Sequence, residues 1–470
     1  MAIAARPWLS REGSDIIDDL SSDRLASWVP DVAGDVDMAH LAAGVSSGRE
    51  RALMALSVPR PDGSQMHVPV LHPAVIVALH RAVSPLRDVL QQTLSAGVLS
   101  YRRGADRNWR YSPGWRSFSA VAGQLAERSQ WVVFTDVKGF FESTPWPVVL
   151  RCARALSDQR STVDLQDLAE RLSATGLAHL PSGYSDARML GNLVLGHAER
   201  GLGVPFMRWV DDYRLFTVSE EQSEQALIRL ARGLNVFGLE LNHSKTRIVP
   251  AHSALTEIRA ITAPIFDPKI DSQRMIGEKL MSALHRAAAD PAGRRSEMRY
   301  SLSGLTRERE PAFIDWALQA LWEVPWEAPR LVAYLATFAN DPRIGPGAER
   351  SLRKAALAGD RWRVCRLAPL VIHTRGSEVS RPTLRALAEA LPALAGSPAW
   401  GLALRTLSLA KAGDLVRGAL STEVLDIRAA LVALRDLDLA LPAELCAIEP
   451  ALAEALRYVP APAPAVDSML

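Results

Sequence analysis

This sequence of 470 residues has few cysteines, few lysines and a small net charge. Its three cysteines, Cys152, Cys365 and Cys446, lie far apart and form no CxxC pair. The sequence therefore supports neither a disulfide framework nor a cysteine-based zinc site, and it fits a reducing compartment. The formal net charge is only +2. Because the overall field is that weak, any bound nucleic acid must be held by local basic patches and metal ions.

Long hydrophobic runs are also missing. No window approaches about 18 uncharged apolar residues, and the apolar stretch at the N-terminus is too short for a signal peptide. We therefore expect a soluble, cytoplasmic protein with no membrane partner.

Most of the basic residues are arginine. Only six of the 54 are lysine: Lys138, Lys245, Lys269, Lys279, Lys354 and Lys411.

The apolar content of 48% and the charged content of 23% are ordinary for a globular protein, and the length predicts more than one domain. Residues 1–64 are predicted to be a mainly helical lead. In residues 65–255, strand-like runs alternate with helical stretches, which indicates a mixed α and β domain. In residues 256–470, helical stretches alternate with proline and glycine breaks, which predicts an α-helical domain built as a solenoid or a bundle.

Acidic residues follow two strand-like runs in the middle of the chain. The run Trp131–Thr135 ends at Asp136, and the run Phe206–Val210 leads into Asp211 and Asp212 before the strand pattern resumes. The second pattern predicts a β hairpin with both aspartates at its turn. A single aspartate at a strand end is more often only a turn residue. If the strands are neighbours, however, the carboxylates converge and repel one another unless divalent cations lie between them.

The order of four short motifs supports the interpretation that these carboxylates converge around divalent cations. The motifs are Asp136 with Phe141, Leu180-Pro181-Ser182-Gly183 followed by Asn192, Trp209-Val210-Asp211-Asp212, and the stretch from Gly238 to Lys245-Thr246. In this order they resemble the motifs of reverse transcriptases, over roughly residues 95 to 250. Trp209 occupies the position where the family more usually has tyrosine.

This resemblance implies an α+β fold, a right-hand polymerase with fingers and an antiparallel palm sheet, followed by the helical domain. It implies an RNA-directed DNA polymerase, a nucleotidyltransferase that uses dNTPs and an RNA or DNA template, primer or nascent strand. Asp136, Asp211 and Asp212 would hold two Mg²⁺ ions, or Mn²⁺ as a substitute, which would activate a 3′-hydroxyl and stabilise pyrophosphate.

Other motif residues would serve the nucleotide. Phe141 would pack under its sugar and select deoxyribose, although a core phenylalanine beside Phe140 is the alternative. Gly183 would let the backbone approach the nucleotide closely, or would be a plain turn glycine. Lys245 would be a general acid, because lysine releases a proton more readily than arginine does; the alternative is a solvated surface lysine.

Basic residues upstream of the palm are candidates for the fingers. Arg102 or Arg103 would clamp the triphosphate through paired hydrogen bonds, and the sequence leaves the choice between them open. Trp109 and Arg110 belong to a stretch that interleaves aromatic and basic residues, a composition suited to single-stranded bases or equally to packing. In the C-terminal part, Arg353, Arg361 and Arg363 lie in a basic span that would hold a nascent strand or form a solvated helix face.

The sequence also departs from the family. Ser182 occupies the usual position of glutamine, and residues 265–470 contain 26 basic and 24 acidic residues, unlike the basic region that follows the palm in intron-encoded enzymes. A palm followed directly by a helical domain resembles the abortive-infection and "unknown group" reverse transcriptases of bacteria. That resemblance implies antiviral defence, synthesis that is untemplated or protein-primed in some relatives, and a homo-oligomer. The rival hypothesis is a catalytically inactive palm on a helical scaffold that binds nucleic acid or a phage protein.

Overall fold

The computed structural model describes residues 53–101 except 72, residues 111–262 except 158–159, residues 273–416, and residues 430, 431, 433, 434 and 437. Among these, residues 75–262 form one compact unit, and residues 53–74 together with those after 272 form another. We call the first the sheet unit and the second the helical unit.

The sheet unit combines eight helices with four strands. The helices are α1 (Pro73–Val83), α2 (Arg87–Thr93), α3 (Tyr111–Glu127), α4 (Trp146–Arg154), α5 (Arg160–Ala174), α6 (Ser185–Ala198), α7 (Glu220–Asn235) and α8 (Ala251–Thr262). The first two residues of α1 are grouped with the helical unit. Counting strands from the start of the described chain, those of the sheet unit are β3 (Trp131–Asp136), β4 (Phe206–Trp209), β5 (Asp212–Thr217) and β6 (Arg247–Pro250).

The four strands form one antiparallel sheet in the order β4-β5-β3-β6. The central strand β3 is almost entirely buried, as its run of Val132, Val133 and Phe134 requires. Because side chains alternate along a strand, Val132 and Phe134 share one face with Phe216 of β5. Helices α3 and α8 cover that face, and α7 packs on β3 and β5 as well.

The helical unit begins with a β hairpin, β1 (Leu53–Pro59) and β2 (Gln65–Leu71), and β1 packs against the helix Arg361–Arg375 of the same unit. This hairpin replaces the last part of the predicted helical lead, and the predicted boundary at residue 65 falls inside it. Residues 1–52 lie outside the described residues. The predicted domain boundaries themselves remain predictions.

The remaining described elements of the helical unit are α-helices joined by short turns, three of which are 3₁₀ turns. The helices are α9 (Gln273–Ala289), α10 (Arg295–Glu308), α11 (Ile314–Glu323), α12 (Ala328–Ala336), α13 (Ile344–Leu357), α14 (Arg361–Arg375), α15 (Arg381–Leu394), α16 (Pro398–Leu409) and α17 (Gly413–Val416). Helices α11, α13 and α15 each pack against both the next helix and the next but one, and α10, α12 and α14 each pack against the next but one. This contact pattern is typical of helices stacked in series, as in a solenoid.

In the described part of the chain, no helix combines the length and the apolar character needed to span a bilayer. Cys152 and Cys365 are buried thiols without a disulfide, and burial raises the pKa of Cys152 to about 11. Cys446 lies outside the described residues.

Candidate active site

The predicted hairpin is present, and its turn places Asp211 next to Asp212. Trp209 pairs with Asp212, which leaves Val210 and Asp211 as a two-residue turn between β4 and β5. Val210 has a φ of 57°, a left-handed conformation that costs a β-branched residue about 1–3 kcal/mol. A strained turn of this kind persists only where the surrounding structure fixes it.

Hydrogen bonds from three directions fix that turn. The Val210 N–H donates to Ser100 Oγ at 2.8 Å, and Arg208 Nη1 donates to the Val210 carbonyl at 2.7 Å. The Val137 N–H donates to the carbonyl of Asp211 at 3.2 Å. The backbone on both sides of the turn is therefore tied to neighbouring segments.

Arg208 lies at the centre of a buried polar network behind the turn. Its side chain is 0% exposed, its Nε donates to Glu199, and its Nη1 donates to Asn192 Oδ1 at 2.7 Å. The Tyr213 hydroxyl donates to the same Glu199 carboxylate at 3.0 Å, and Asn192 Nδ2 donates to the Ser100 carbonyl at 2.9 Å. The network joins α6, β4 and β5, so the position of the turn depends on all three elements.

Asp136 lies directly opposite Asp212 across the β3–β5 pair. Residues opposite each other on antiparallel strands project to the same face, with Cα atoms roughly 4.5–5.5 Å apart. Asp136 Oδ2 accepts hydrogen bonds from Lys245 Nζ at 2.8 Å and from Asn242 Nδ2 at 3.2 Å. Three carboxylates from two strands and one turn therefore share one end of the sheet.

The segment that carries Lys245 extends the sheet beyond the end of β3. The Asn242 N–H donates to the Asp136 carbonyl at 2.7 Å, and a 3₁₀ turn over His243–Lys245 follows. The Thr135 and Thr246 hydroxyls hydrogen-bond at 2.7 Å. These contacts hold the lysine beside Asp136, while its side chain remains 62% exposed.

The carboxylates of the turn carry incompletely balanced negative charge. Burial, followed by repulsion from Asp136 and Asp212, raises the pKa of Asp211 to about 7. The pKa of Asp212 is also raised by burial, and the Arg214 guanidinium, which forms an ion pair with it, opposes that rise. Lys245 acts on Asp211 in the same opposing direction, but it does not restore an ordinary pKa.

The three carboxylates match a divalent metal in their chemistry, because Mg²⁺ prefers hard oxygen ligands, and the raised pKa of Asp211 indicates negative charge that a cation would balance. Within the described residues, however, no three His, Cys, Asp or Glu side chains are grouped so as to hold a metal ion. Instead, Asp136 bonds to Lys245 and Asp212 to Arg214. The donor set therefore fits a metal in kind, and binding requires these protein cations to give up part of their contact.

Phe141 and Gly183 lie beside helix α6. Phe141 is half-buried and meets Phe140 edge-on, with ring centroids 5.1 Å apart. A Cβ at Gly191 of α6 would lie 2.7 Å from the Phe140 ring, so the glycine allows this close approach. Gly183 has a φ of 97° in the loop before α6, a conformation that glycine adopts without strain. Asn192 of the same motif belongs to the buried network described above.

The sequence predicted seven further site residues. Arg102, Arg103, Trp109 and Arg110 lie outside the described residues, so their roles stay predictions. Arg353, Arg361 and Arg363 belong to the helical unit, where Arg361 Nε donates to the Ala393 carbonyl at 3.1 Å. Arg363 forms an ion pair with Asp360, donates to the carbonyls of Leu321 and Trp322, and lies over the Trp322 ring. These contacts link neighbouring helices.

The sequence interpretation missed Arg208, Glu199, Ser100 and Asn242. One signal was available, because a charged residue within the strand Phe206–Trp209 must find a buried partner. Nothing in the sequence identified Glu199 as that partner, since it comes from the end of another element. Trp209 itself is a core residue, 7% exposed and edge-on to Phe118 at 5.9 Å.

Comparison with known proteins agrees with this geometry. Residues 74–272 match the family model described as reverse transcriptase (RNA-dependent DNA polymerase). The chain therefore contains a reverse transcriptase domain, with a small antiparallel sheet, and the family predicted from the motifs is confirmed. The domain is that of an RNA-directed DNA polymerase, a nucleotidyltransferase whose substrates are nucleotides and nucleic acid. None of the curated proteins matches the chain.

Proposed function

We propose that this domain adds dNTPs to a 3′ end by two-metal nucleotidyl transfer. The observation that carries the proposal is the position of Asp211, which lies with Asp136 and Asp212 at one end of the sheet and has a pKa of about 7. Such a pKa marks a carboxyl whose charged form is costly in the absence of a cation. Perturbed carboxyls of this kind are typical of functional sites.

In this proposal Asp136 and Asp211 hold Mg²⁺, with Mn²⁺ as a substitute, and Asp212 supports them. When bound, a pair of such ions lowers the pKa of a 3′-hydroxyl and stabilises the charge of the leaving pyrophosphate. In the same proposal, Lys245 donates a proton to that leaving group. Its exposed side chain and its 2.8 Å contact with Asp136 give it both access to solvent and a fixed position at the site.

Two further residues would define the nucleotide pocket. Phe141 packs edge-on against the buried Phe140, and its half-exposed ring is available to exclude a 2′-hydroxyl. Gly183, which adopts a positive φ, would let the nucleotide or template approach the backbone closely. We expect Phe141→Ala to raise the incorporation of ribonucleotides relative to deoxyribonucleotides, and an unchanged ratio in competition assays would contradict this role.

Mg²⁺-dependent uptake of labelled dNTP tests the activity, with an RNA template, a DNA template or no template. We expect the variant Asp211→Ala/Asp212→Ala to lose incorporation by more than about 1000-fold, because both turn carboxylates are removed. The matched control is Asp164→Ala/Asp167→Ala, which removes two exposed aspartates from α5. Retained incorporation in the first variant, with a normal circular dichroism spectrum, would contradict the proposal.

The biological setting that we propose is antiviral defence in the bacterial cytoplasm, by abortive infection, in a homo-oligomer. The support is the sequence order, a reverse transcriptase domain followed by a helical region with 26 basic and 24 acidic residues. Incorporation without template, and label that stays on the protein after denaturation, would support untemplated and protein-primed synthesis. Equal phage plating on cells with the wild-type protein and cells with the Asp211→Ala/Asp212→Ala variant would contradict the defence role.

The second candidate function is binding without chemistry. The observation that favours it is the pairing of two site carboxylates with protein cations, Asp136 with Lys245 and Asp212 with Arg214. In that case the wild-type protein would bind labelled oligonucleotide but incorporate no dNTP under any template condition, and the same assay decides between the two functions.

A further inference from the structure

Three arginines surround one buried carboxylate in the helical unit. The Glu327 side chain is 0% exposed and accepts from Arg295 Nε at 2.5 Å and from Arg330 Nη1 at 3.3 Å. Arg299 Nε donates to both carboxylate oxygens, at 2.8 and 3.0 Å. We call these four residues the arginine cluster. It joins α10 and α12 to the 3₁₀ turn Pro325–Glu327.

The cluster has more positive charge than its one carboxylate can balance. Three guanidinium groups and one carboxylate give a net charge of +2, and the side chains of Arg295, Arg299 and Arg330 are 37%, 36% and 42% exposed. Among the described residues, the Nη atoms of Arg295 and Arg299 have no hydrogen-bond partner. These donors are held in place by the contacts of Nε with Glu327 and remain available to a ligand.

Nearby acids do not cancel this charge. Glu297, which binds Arg286 and Arg294, lies two residues from both Arg295 and Arg299 on α10. Residues two apart on a helix face different directions, whereas residues four apart share a face. Burial and repulsion by Arg295 and Arg330 also hold the pKa of Arg299 below its usual value, although Glu327 opposes this shift.

Two other exposed arginines of the helical unit are balanced locally. Arg343 contacts both Asp341 and Asp315, and Arg381 forms an ion pair with Asp414. Each of these arginines has at least one carboxylate of its own, so neither site has an excess of positive charge. The arginine cluster differs from them in charge balance, although its exposure is similar.

We propose that the arginine cluster binds the phosphodiester backbone of a single-stranded nucleic acid. A planar guanidinium presents paired donors that match phosphate oxygens, and it is less strongly hydrated than an ammonium group. The buried Glu327 fixes the orientation of the arginines before a ligand arrives, which lowers the entropic cost of binding. The reverse transcriptase domain of the same chain uses nucleic acid as substrate, so the ligand of matching charge is already one that the protein handles.

The decisive variant is Arg295→Gln/Arg330→Gln. It removes the excess charge of +2 and leaves Arg299 paired with Glu327 through both carboxylate oxygens, so we expect the unit to fold. The matched control is Arg343→Gln/Arg381→Gln, which also removes two positive charges, but from arginines with acidic partners. Thermal unfolding of the two variants checks that both fold.

Fluorescence anisotropy with labelled 20-nucleotide oligo-dT and oligo-rU measures binding in EDTA, without dNTPs, at several salt concentrations. We expect the cluster variant to bind about tenfold more weakly than the control, with a salt dependence smaller by about 1.4, since each phosphate contact on a single strand contributes about 0.7. Because no metal or dNTP is present, the result is independent of whether the protein polymerises DNA.

Equal affinities and equal salt dependence in the two variants would overturn the proposal. Competition with other anions distinguishes the alternatives. If millimolar inorganic phosphate or pyrophosphate displaces the oligonucleotide from both wild type and control, the cluster is instead a site for a free phosphate. Binding of polyglutamate that the cluster variant loses, with oligonucleotide binding unchanged, would indicate an acidic protein partner. Both of these results would also overturn the proposal.

Discussion

The turn at Val210–Asp211 and the arginine cluster have opposite charge imbalances. At the turn, three carboxylates meet only two cations, Lys245 and Arg214, and Asp211 responds with a pKa of about 7. In the arginine cluster, three guanidinium groups share the single carboxylate of Glu327. The first arrangement is suited to cations and the second to anions.

Both regions also differ from the buried network that supports the turn. There, one guanidinium, that of Arg208, meets one carboxylate, that of Glu199, and both are almost fully buried. A buried pair of this kind serves the fold, because breaking it leaves an uncompensated charge. The comparison teaches that balanced pairs fix the geometry, whereas unbalanced groups mark where a ligand is expected.

The largest effect should come from breaking the balanced pair. We expect Arg208→Met to lower the free energy of unfolding by about 3–5 kcal/mol, because Glu199 and Asn192 lose a buried donor. Arg330→Met in the arginine cluster should cost less than about 1 kcal/mol, since two arginines remain on Glu327. Urea unfolding at 25 °C measures the free energy of unfolding of both variants. Losses of similar size would contradict the distinction between the balanced pair and the arginine cluster.

Substitutions of Lys245 test whether dNTP incorporation needs a proton donor at this position or only a positive charge. Lys245→Ala should reduce dNTP incorporation by about 100-fold, the scale of general acid catalysis, while this largely exposed side chain adds little to stability. Lys245→Arg keeps the charge beside Asp136 but releases no proton near neutral pH, so we expect activity to stay low. Lys138→Ala, at an exposed lysine, is the control; full activity in Lys245→Arg would show that charge alone suffices.

Substitution of Asp211 by asparagine should give the smallest of these effects, a change in the free energy of unfolding that depends on pH. The pKa of Asp211 rises from 3.8 to about 7 on folding, so between these values the folded protein retains a proton that the unfolded chain releases. Wild-type stability therefore falls as pH rises through this window. Asp211→Asn removes that cost, and we expect it to be more stable than wild type by about 1–2 kcal/mol at pH 8, with little difference at pH 4.

Unfolding midpoints at pH 4, 6 and 8 measure this difference, with Asp164→Asn as the control at an exposed site. A difference that is constant with pH, or that shrinks toward pH 8, would contradict the raised pKa. At pH 8 we also expect added Mg²⁺ to raise the wild-type midpoint more than that of Asp211→Asn. This comparison detects metal binding without an activity assay.

Much of the sheet unit could be predicted from local sequence. The apolar run Trp131–Thr135 and the hairpin around Asp211 form strands as predicted, because buried strands need continuous or alternating apolar residues. The hairpin Leu53–Leu71 was missed as an element of the helical unit. Its grouping depends on packing against α14, about 300 residues later in the chain, and no local pattern contains that information.

The sequence by itself determined the order of the motifs, the reverse transcriptase family and the residue types at the site, since motif spacing and strand patterns are local properties. Only the tertiary structure decided the charge balance around those residues. It paired Asp136 with Lys245, fixed the strained Val210 turn through Arg208 and Ser100, and gathered three arginines on Glu327. The physical reason is that the strength of an electrostatic interaction depends on distance and burial, and folding alone sets both for residues far apart in sequence.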